Sequence, residues 1–365
     1  ISTAGNVHQQ YFTTPFESPQ QVTLACLECH TDAASEVMAT VHWTWETILP
    51  DSDSQPAGEG IGKKNVFNNF CIGVESNWPR CTSCHAGYGW KDASFDFTAE
   101  ENVDCLVCHD QTGTYKKSPA GAGMPAEEVD LLFVAQNVGA PTRANCGSCH
   151  FYGGGGENVK HGDLDPGLVN PSPEYDVHMG NGMTCQDCHT SESHQIRGRS
   201  MAIITDEQSR VECIDCHQTP VHNNELLNNH SSKVACQTCH IPVYAKDRPT
   251  KTYWDWSTAG KDTTLSEDQY GMPTYDKKKG TFAWGQNLQP EYYWYNGKSE
   301  RYLKGEKINP QEMLALNTPL GERKDKDARI YPFKVMRGRQ IYDSDYDYLI
   351  IPQLWGGYWK HFDWN

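Results

Sequence analysis

The sequence predicts a mainly α-helical fold with much irregular structure, built around large groups that are not amino acids, with short strands and loops in its last third. Three observations carry this. Leu, Ile, Val and Phe number only 62 of 365 residues, beside a formal charge of −16, and a share below one in five ordinarily marks a disordered chain. Against disorder stand 11 Trp, 18 Tyr and 15 Cys, types that disordered segments lack. Fourteen of the fifteen cysteines, finally, fall in regular pairs. Something other than aliphatic side chains must fill the interior.

Each pair is Cys-x-x-Cys followed directly by His: Cys26, Cys29 and His30; Cys81, Cys84 and His85; Cys105, Cys108 and His109; Cys146, Cys149 and His150; Cys185, Cys188 and His189; Cys213, Cys216 and His217; Cys236, Cys239 and His240. This is the signature of covalent haem attachment. Two thiols so spaced each add to one vinyl group of a haem, and the next residue lies beneath the porphyrin, where His becomes an iron ligand. Zinc is the strongest rival, because Cys84 to Cys105 encloses 20 residues and Cys216 to Cys236 encloses 19, both inside the zinc-ribbon window. Zinc, however, places no demand on the residue after the second Cys. With 15 His in 365 positions, seven such coincidences have a chance probability on the order of 10⁻¹⁰. Disulfides fail on the same ground, and a redox Cys-x-x-Cys would occur once. The expected cofactors are seven covalently bound haem c, and the expected fold class is that of a multihaem cytochrome c.

Haem attachment of this kind is completed outside the cytoplasm, so a periplasmic or extracellular location is expected, with the export signal removed. No apolar run reaches the roughly 18 residues of a membrane span.

Charge and aromatic content divide the chain near residue 240. Residues 1–240 carry 12 Lys and Arg against 30 Asp and Glu, net −18, whereas residues 241–365 carry 19 against 17, net +2. Aromatic residues number 17 in the first part and 23 in the second. We expect a heptahaem domain over 1–240 and an aromatic-rich region over 241–365 packed on the haem core. Nucleic acid is excluded as a partner, because phosphate binding needs a basic footprint.

The motifs start at Cys26, Cys81, Cys105, Cys146, Cys185, Cys213 and Cys236, without the fixed period of a repeat array. Such density brings haems close together, as electron conduction needs. Thr31 or Asp32 is placed to cap a helix with Met38, Val41, His42 and Trp45 on one face. A second helix is expected over 126–138, closed by Gly139 and Pro141. Residues 51–62 read as a loop, and 153–156 as a four-glycine turn that allows close backbone approach.

Eight histidines lie outside the motifs: His8, His42, His161, His178, His194, His222, His230 and His361. Any one alone would be read as a surface or hydrogen-bonded residue. Seven irons in need of second axial ligands change that balance, and His42, His178, His194, His222, His230, His8 and His161 become the ligand candidates. Iron held by two His is closed to substrate and suits electron transfer, whereas an open or weakly held position suits catalysis.

The segments from Asn68 to Cys71, from Cys81 to Trp90, from Asp104 to Asp110, from Gly153 to Asp163 (GGGGENVKHGD), from Asp176 to Met179 and from Lys251 to Gly260 resemble the octahaem tetrathionate reductase family of multihaem c-type cytochromes. The resemblance runs from about His8 to Trp364. It implies that the haem of Cys81, Cys84 and His85 is the active site, with Lys160 as its distal ligand. It further implies a neighbouring cysteine and carboxylate, whose counterparts are Cys71 and Glu157. On chemical grounds a neutral lysine amine can bind iron and be displaced by substrate, leaving an ammonium to hold an anion or donate a proton. Read alone, Lys160 would be a solvated amine and Cys71 a small buried residue. The chain departs from the family in having seven motifs rather than eight, and in Glu157 where the family pattern has Asp. Lys160 with six His would serve seven haems, and so would seven of the eight His.

Two functions follow. The first is a reductase that delivers electrons to the Lys-ligated haem and reduces a small sulfur or nitrogen oxo-compound such as tetrathionate, nitrite or hydroxylamine. In it Lys160 and Arg143 offset substrate charge, Glu157 and His161 relay protons, and Cys71 shapes the pocket. The acidity of residues 1–240 opposes an anionic substrate unless local cations dominate. The second is a non-catalytic extracellular conduit, a homo-oligomer or cytochrome filament in which a surplus His ligates a neighbour's haem. Both imply redox partner proteins.

Overall fold

The structure, a computed structural model, describes residues 4–47, 60–68, 73–198 and 210–363. Its helices are short because most exist to present one motif. The longest described, Pro19–Leu27, starts at Ser18, whose side chain accepts from the Gln21 amide, has Pro19 in its first turn, and delivers Cys26. Arg143–His150 begins with a reciprocal capping box between Thr142 and Asn145 and carries a whole motif. Cys185–Cys188 and Cys236–His240 are single turns that hold the two cysteines of a motif on one side, and Leu106–His109 is a single turn that holds Cys108 with Cys105 as its N-cap. No described helix is long and apolar enough to cross a membrane.

Two expected helices are shorter than the hydrophobic spacing suggests. The first is broken into Ala33–Met38 and Val41–Thr44. Thr40 between them is extended, with φ −95° and ψ 160°, and its hydroxyl donates to the Val37 carbonyl at 2.7 Å, a local bond that competes with the helix ladder. The second spans only Leu131–Gln136, because Asp130 caps it by accepting from the Phe133 amide.

Beyond residue 240 the expected short strands are present. A four-stranded sheet has the order Arg337–Arg339, Thr250–Asp255, Gly280–Gly285, Tyr275–Asp276. Its first pair is parallel, and the others are antiparallel with Trp254 opposite Phe282. Trp254, Trp256, Phe282, Tyr302, Leu354 and Tyr358 form its core, joined by Phe67 and Val159 from the first part of the chain. Elsewhere the buried clusters are small, such as Val22, Leu106 and Val134 beside Phe12, or Trp45, Val74 and Trp90. The two parts are tied at buried Asn77, whose amide nitrogen donates to the Pro352 carbonyl at 3.2 Å while its oxygen accepts from the Leu354 and Trp355 amides, both at 3.0 Å.

Candidate functional site

Five motif histidines face a histidine from outside the motifs. The ring centroids are 6.3 Å apart for His30 and His8, 6.2 Å for His150 and His42, 6.4 Å for His109 and His194, 6.1 Å for His217 and His178, and 6.0 Å for His240 and His222. Two metal–nitrogen bonds of about 2 Å each, with half an imidazole ring on either side, span that separation. Second partners fix the ring tautomers. Nδ1 of His109 lies 2.8 Å from the Gly139 carbonyl, Nδ1 of His189 lies 2.8 Å from that of Arg197, and Nδ1 of His194 lies 2.7 Å from the Glu36 carboxylate. Such bonds leave Nε2 as the lone-pair donor and raise its basicity. Burial pushes the imidazolium forms of His42 and His109 down, and that of His150 down to about 4. These rings are therefore held neutral, the form that binds iron.

A continuous cavity of about 3590 Å³ is lined by cysteines and histidines of the first five motifs, together with Lys160 and His161. That is several times the roughly 300–1,000 Å³ of a single-ligand pocket, and with the opposed imidazoles it fits several large flat groups. The sulfurs of different motifs lie close together: Cys26 beside Cys105, Cys84 beside Cys149, Cys146 beside Cys185, and Cys213 beside Cys236. Cys108 lies near Cys146, and Cys216 near Cys188. In space the motifs therefore run first, third, fourth, fifth, sixth, seventh, with the second joined at the fourth. Sequence order does not contain that branch.

The second motif differs from the others in the surroundings of its histidine, His85. Its Nε2 is 2.7 Å from the Trp43 carbonyl oxygen. Its ring is fully buried and surrounded by Trp43, Trp45, Trp90, Phe95 and Phe97, at 4.9 to 6.2 Å between centroids. Nδ1 is buried without a hydrogen-bond partner and faces Gly87, where an added Cβ would lie 2.9 Å away. Lys160, only 7% exposed, lines the same cavity as Cys81 and Cys84.

Cations surround this motif. Lys63, Lys117 and Arg80 all act on Cys84, after its contact with Cys149 and its burial. Lys117 is buried in an ion pair with Asp104 at 2.9 Å and also donates to the His85 carbonyl. Asp104 accepts further from Tyr88 at 2.9 Å, Tyr115 at 2.8 Å and the Val107 amide at 3.0 Å.

Other expected site residues fall differently. The half-exposed carboxylate of Glu157 pairs with Arg248 at 2.9 Å and does not line the cavity. Arg143 donates to the carbonyls of Met179, Met183 and Val169, so it locks a turn and leaves substrate charge to other groups. His161 lines the cavity, and burial, with the charges of Lys160 and Lys334, pushes its imidazolium down to about 3. Among the described residues neither His161 nor His230 is stacked against a motif imidazole, and His189 has no stacked partner. Cys71 lies outside the described residues. Sequence reasoning missed Trp43, Lys117 and Lys334. Asp104, directly before Cys105, belongs to a segment whose motif spacing gives the carboxylate no role of its own.

Opposed imidazoles, sulfur-to-sulfur motifs and a shared cavity define a multihaem c-type cytochrome with covalently bound haem c and an electron-transfer function. Residues 172–241 match the family model of cytochrome c7 and related cytochrome c, and residues 251–365 match that of bacterial cytochrome c. An octahaem cytochrome c crystal structure from Shewanella oneidensis is 49% identical, with a TM-score of 0.90 over 98% of this chain and 81% of that one. The chain belongs to the octahaem tetrathionate reductase family. An uncharacterised protein of Archaeoglobus fulgidus is 24% identical over 231 residues, 48% of this chain and 75% of that protein.

Proposed function

We propose that this protein carries seven haem c groups outside the cytoplasm, in the periplasm or beyond the cell. It reduces a small sulfur or nitrogen oxo-compound, such as tetrathionate, nitrite or hydroxylamine, at the group attached to Cys81 and Cys84. When bound, haem c supplies one-electron iron chemistry. The observation that carries the reading is that Nε2 of His85 is taken by the Trp43 carbonyl inside an aromatic cage while Lys160 stays buried on the cavity wall. Lys160 would then be the residue of this chain that holds the iron there, in a way substrate could replace. Lys63 and Arg80 supply local positive charge against the acidic part of the chain that carries the motifs, which suits an anion, whereas the charge of Lys117 is offset by Asp104. His161, beside Lys160, stays as the proton-handling candidate, and Glu157 drops out.

The test is low-temperature magnetic circular dichroism of the haem-loaded protein. One amine-ligated haem is expected beside bis-His haems. Lys160→Met should abolish that signature and turnover with nitrite or tetrathionate, whereas a wholly bis-His spectrum would sink the reading.

A second reading, an electron conduit in a homo-oligomer or filament, draws on His230. It is exposed at the end of helix Glu225–His230 and, among the described residues, has no motif imidazole stacked on it. Sedimentation of wild type and His230→Ala separates the two readings, since a monomer at every concentration leaves only the first.

A further inference from the structure

We propose that Lys334 is a positioning residue that holds Lys160 at the haem of Cys81 and Cys84, an inference that rests on Lys160 being that haem's axial ligand. Lys334 stands in the link between strands Arg329–Phe333 and Arg337–Arg339. An ammonium has three N–H donors. Those of Lys334 meet the Val159 carbonyl at 3.1 Å, the Lys160 carbonyl at 3.1 Å and the Thr250 hydroxyl. Thr250, itself fully buried, passes its own proton to the Asn158 carbonyl at 2.6 Å. Three consecutive carbonyls, 158 to 160, are thereby held from the last third of the chain.

The segment needs that grip. It follows the glycines of 153–156, which contribute little stiffness of their own, and passes through Asn158 at φ +55°. A lysine side chain also surrenders rotamer entropy when it is fixed. An amine on a drifting backbone would bind iron weakly, whereas one on a clamped backbone meets the iron in a single geometry. The clamp is costly as built. Among the described residues no carboxylate pairs with the Lys334 nitrogen, so a buried cation rests on neutral acceptors alone. A purely packing role would be filled as well by Met.

The experiment compares wild type, Lys334→Met, Lys334→Gln and Lys160→Met, all haem-loaded and with haem content measured. It reads the amine signature and high-spin fraction by magnetic circular dichroism, and cyanide affinity by titration. Loss of one net hydrogen bond shifts the bound and free amine by about five-fold. Lys334→Met should therefore raise high-spin fraction and cyanide affinity at least that much, and Lys334→Gln, which keeps two donors, by less. Wild-type values for Lys334→Met, or for Lys334→Gln should the Met variant not be recovered, overturn the proposal. If Lys160→Met also leaves the spectrum unchanged, the ligand reading itself fails. A change in Lys160→Met alone removes only the positioning role.

Discussion

The imidazole of His85 is bound to the Trp43 carbonyl oxygen at 2.7 Å, at the wall of the cavity its own motif borders. The same Cys-x-x-Cys-His spacing thus yields two outcomes. At His109 the ring is oriented by a carbonyl on Nδ1, which leaves Nε2 free. At His85 the carbonyl takes Nε2 instead, and five aromatic rings close around the ring. The two motif histidines thus differ in which ring nitrogen the carbonyl holds.

His85→Gln should leave the axial-ligand spectrum of the haem-loaded protein unchanged, because a glutamine amide can still donate to the Trp43 carbonyl. His150→Gln, by contrast, should convert one bis-His haem to a new ligand state, since His150 faces His42. Electron paramagnetic resonance of the two variants decides the matter. Loss of a bis-His signal in His85→Gln would return His85 to the iron.

Asp104 gathers Lys117, two tyrosines and a backbone amide on one carboxylate that is wholly inaccessible to solvent. Removing one partner of such a pair leaves an uncompensated buried charge, at a cost of about 3–5 kcal/mol. Asp104→Asn should lower the melting temperature accordingly. The double variant with Lys117→Met should recover part of the loss. Additive losses in calorimetry would show that the pair is not coupled.

The covalent anchors were legible in the sequence because their chemistry depends on local spacing alone. So was the strand-rich, aromatic last third, since Trp254 and Trp256 sit in a segment punctuated by Gly, Pro and Asp. The pairing of His194 with His109 was not, because 85 positions separate them and only the fold closes that distance. Glu157 misled because it neighbours Lys160 in sequence, while the chain turns it outward onto Arg248. Lys334 carried no signal at all: a lysine between two short strands looks solvated until its three acceptors are in view.

Tyr88 and Tyr115 provide an alkaline test. Burial, and then the charge of Asp104, pushes both phenols above their usual range. The sign is that of a raised folded-state pKa: the stabilisation is fully present below the unfolded value of about 10 and is lost as pH climbs past it. Unfolding free energy should fall above pH 10 by about 1.4 kcal/mol per pH unit for each tyrosine. Tyr115→Phe should be less stable at neutral pH and have a shallower alkaline slope. Equal slopes for both proteins in denaturant titrations from pH 9 to 12 would rule this out.

Haem removal is the most severe perturbation. The largest described aliphatic grouping is a small cluster around Val22, Leu106 and Val134. Between the motifs runs a cavity of about 3590 Å³. Five pairs of imidazoles from distant parts of the chain face one another across gaps of 6.0 to 6.4 Å. No direct bond between the rings holds those gaps, so the pairs add nothing to stability unless a metal joins them. Where the ligand site does not exist in the unfolded chain, binding free energy becomes folding free energy. The chain made without haem attachment should therefore lack a cooperative thermal transition and fixed near-ultraviolet circular dichroism, and should be cleaved rapidly by protease. A compact apoprotein that melts cooperatively would mean that the aromatic clusters of the last third suffice to fold the whole chain.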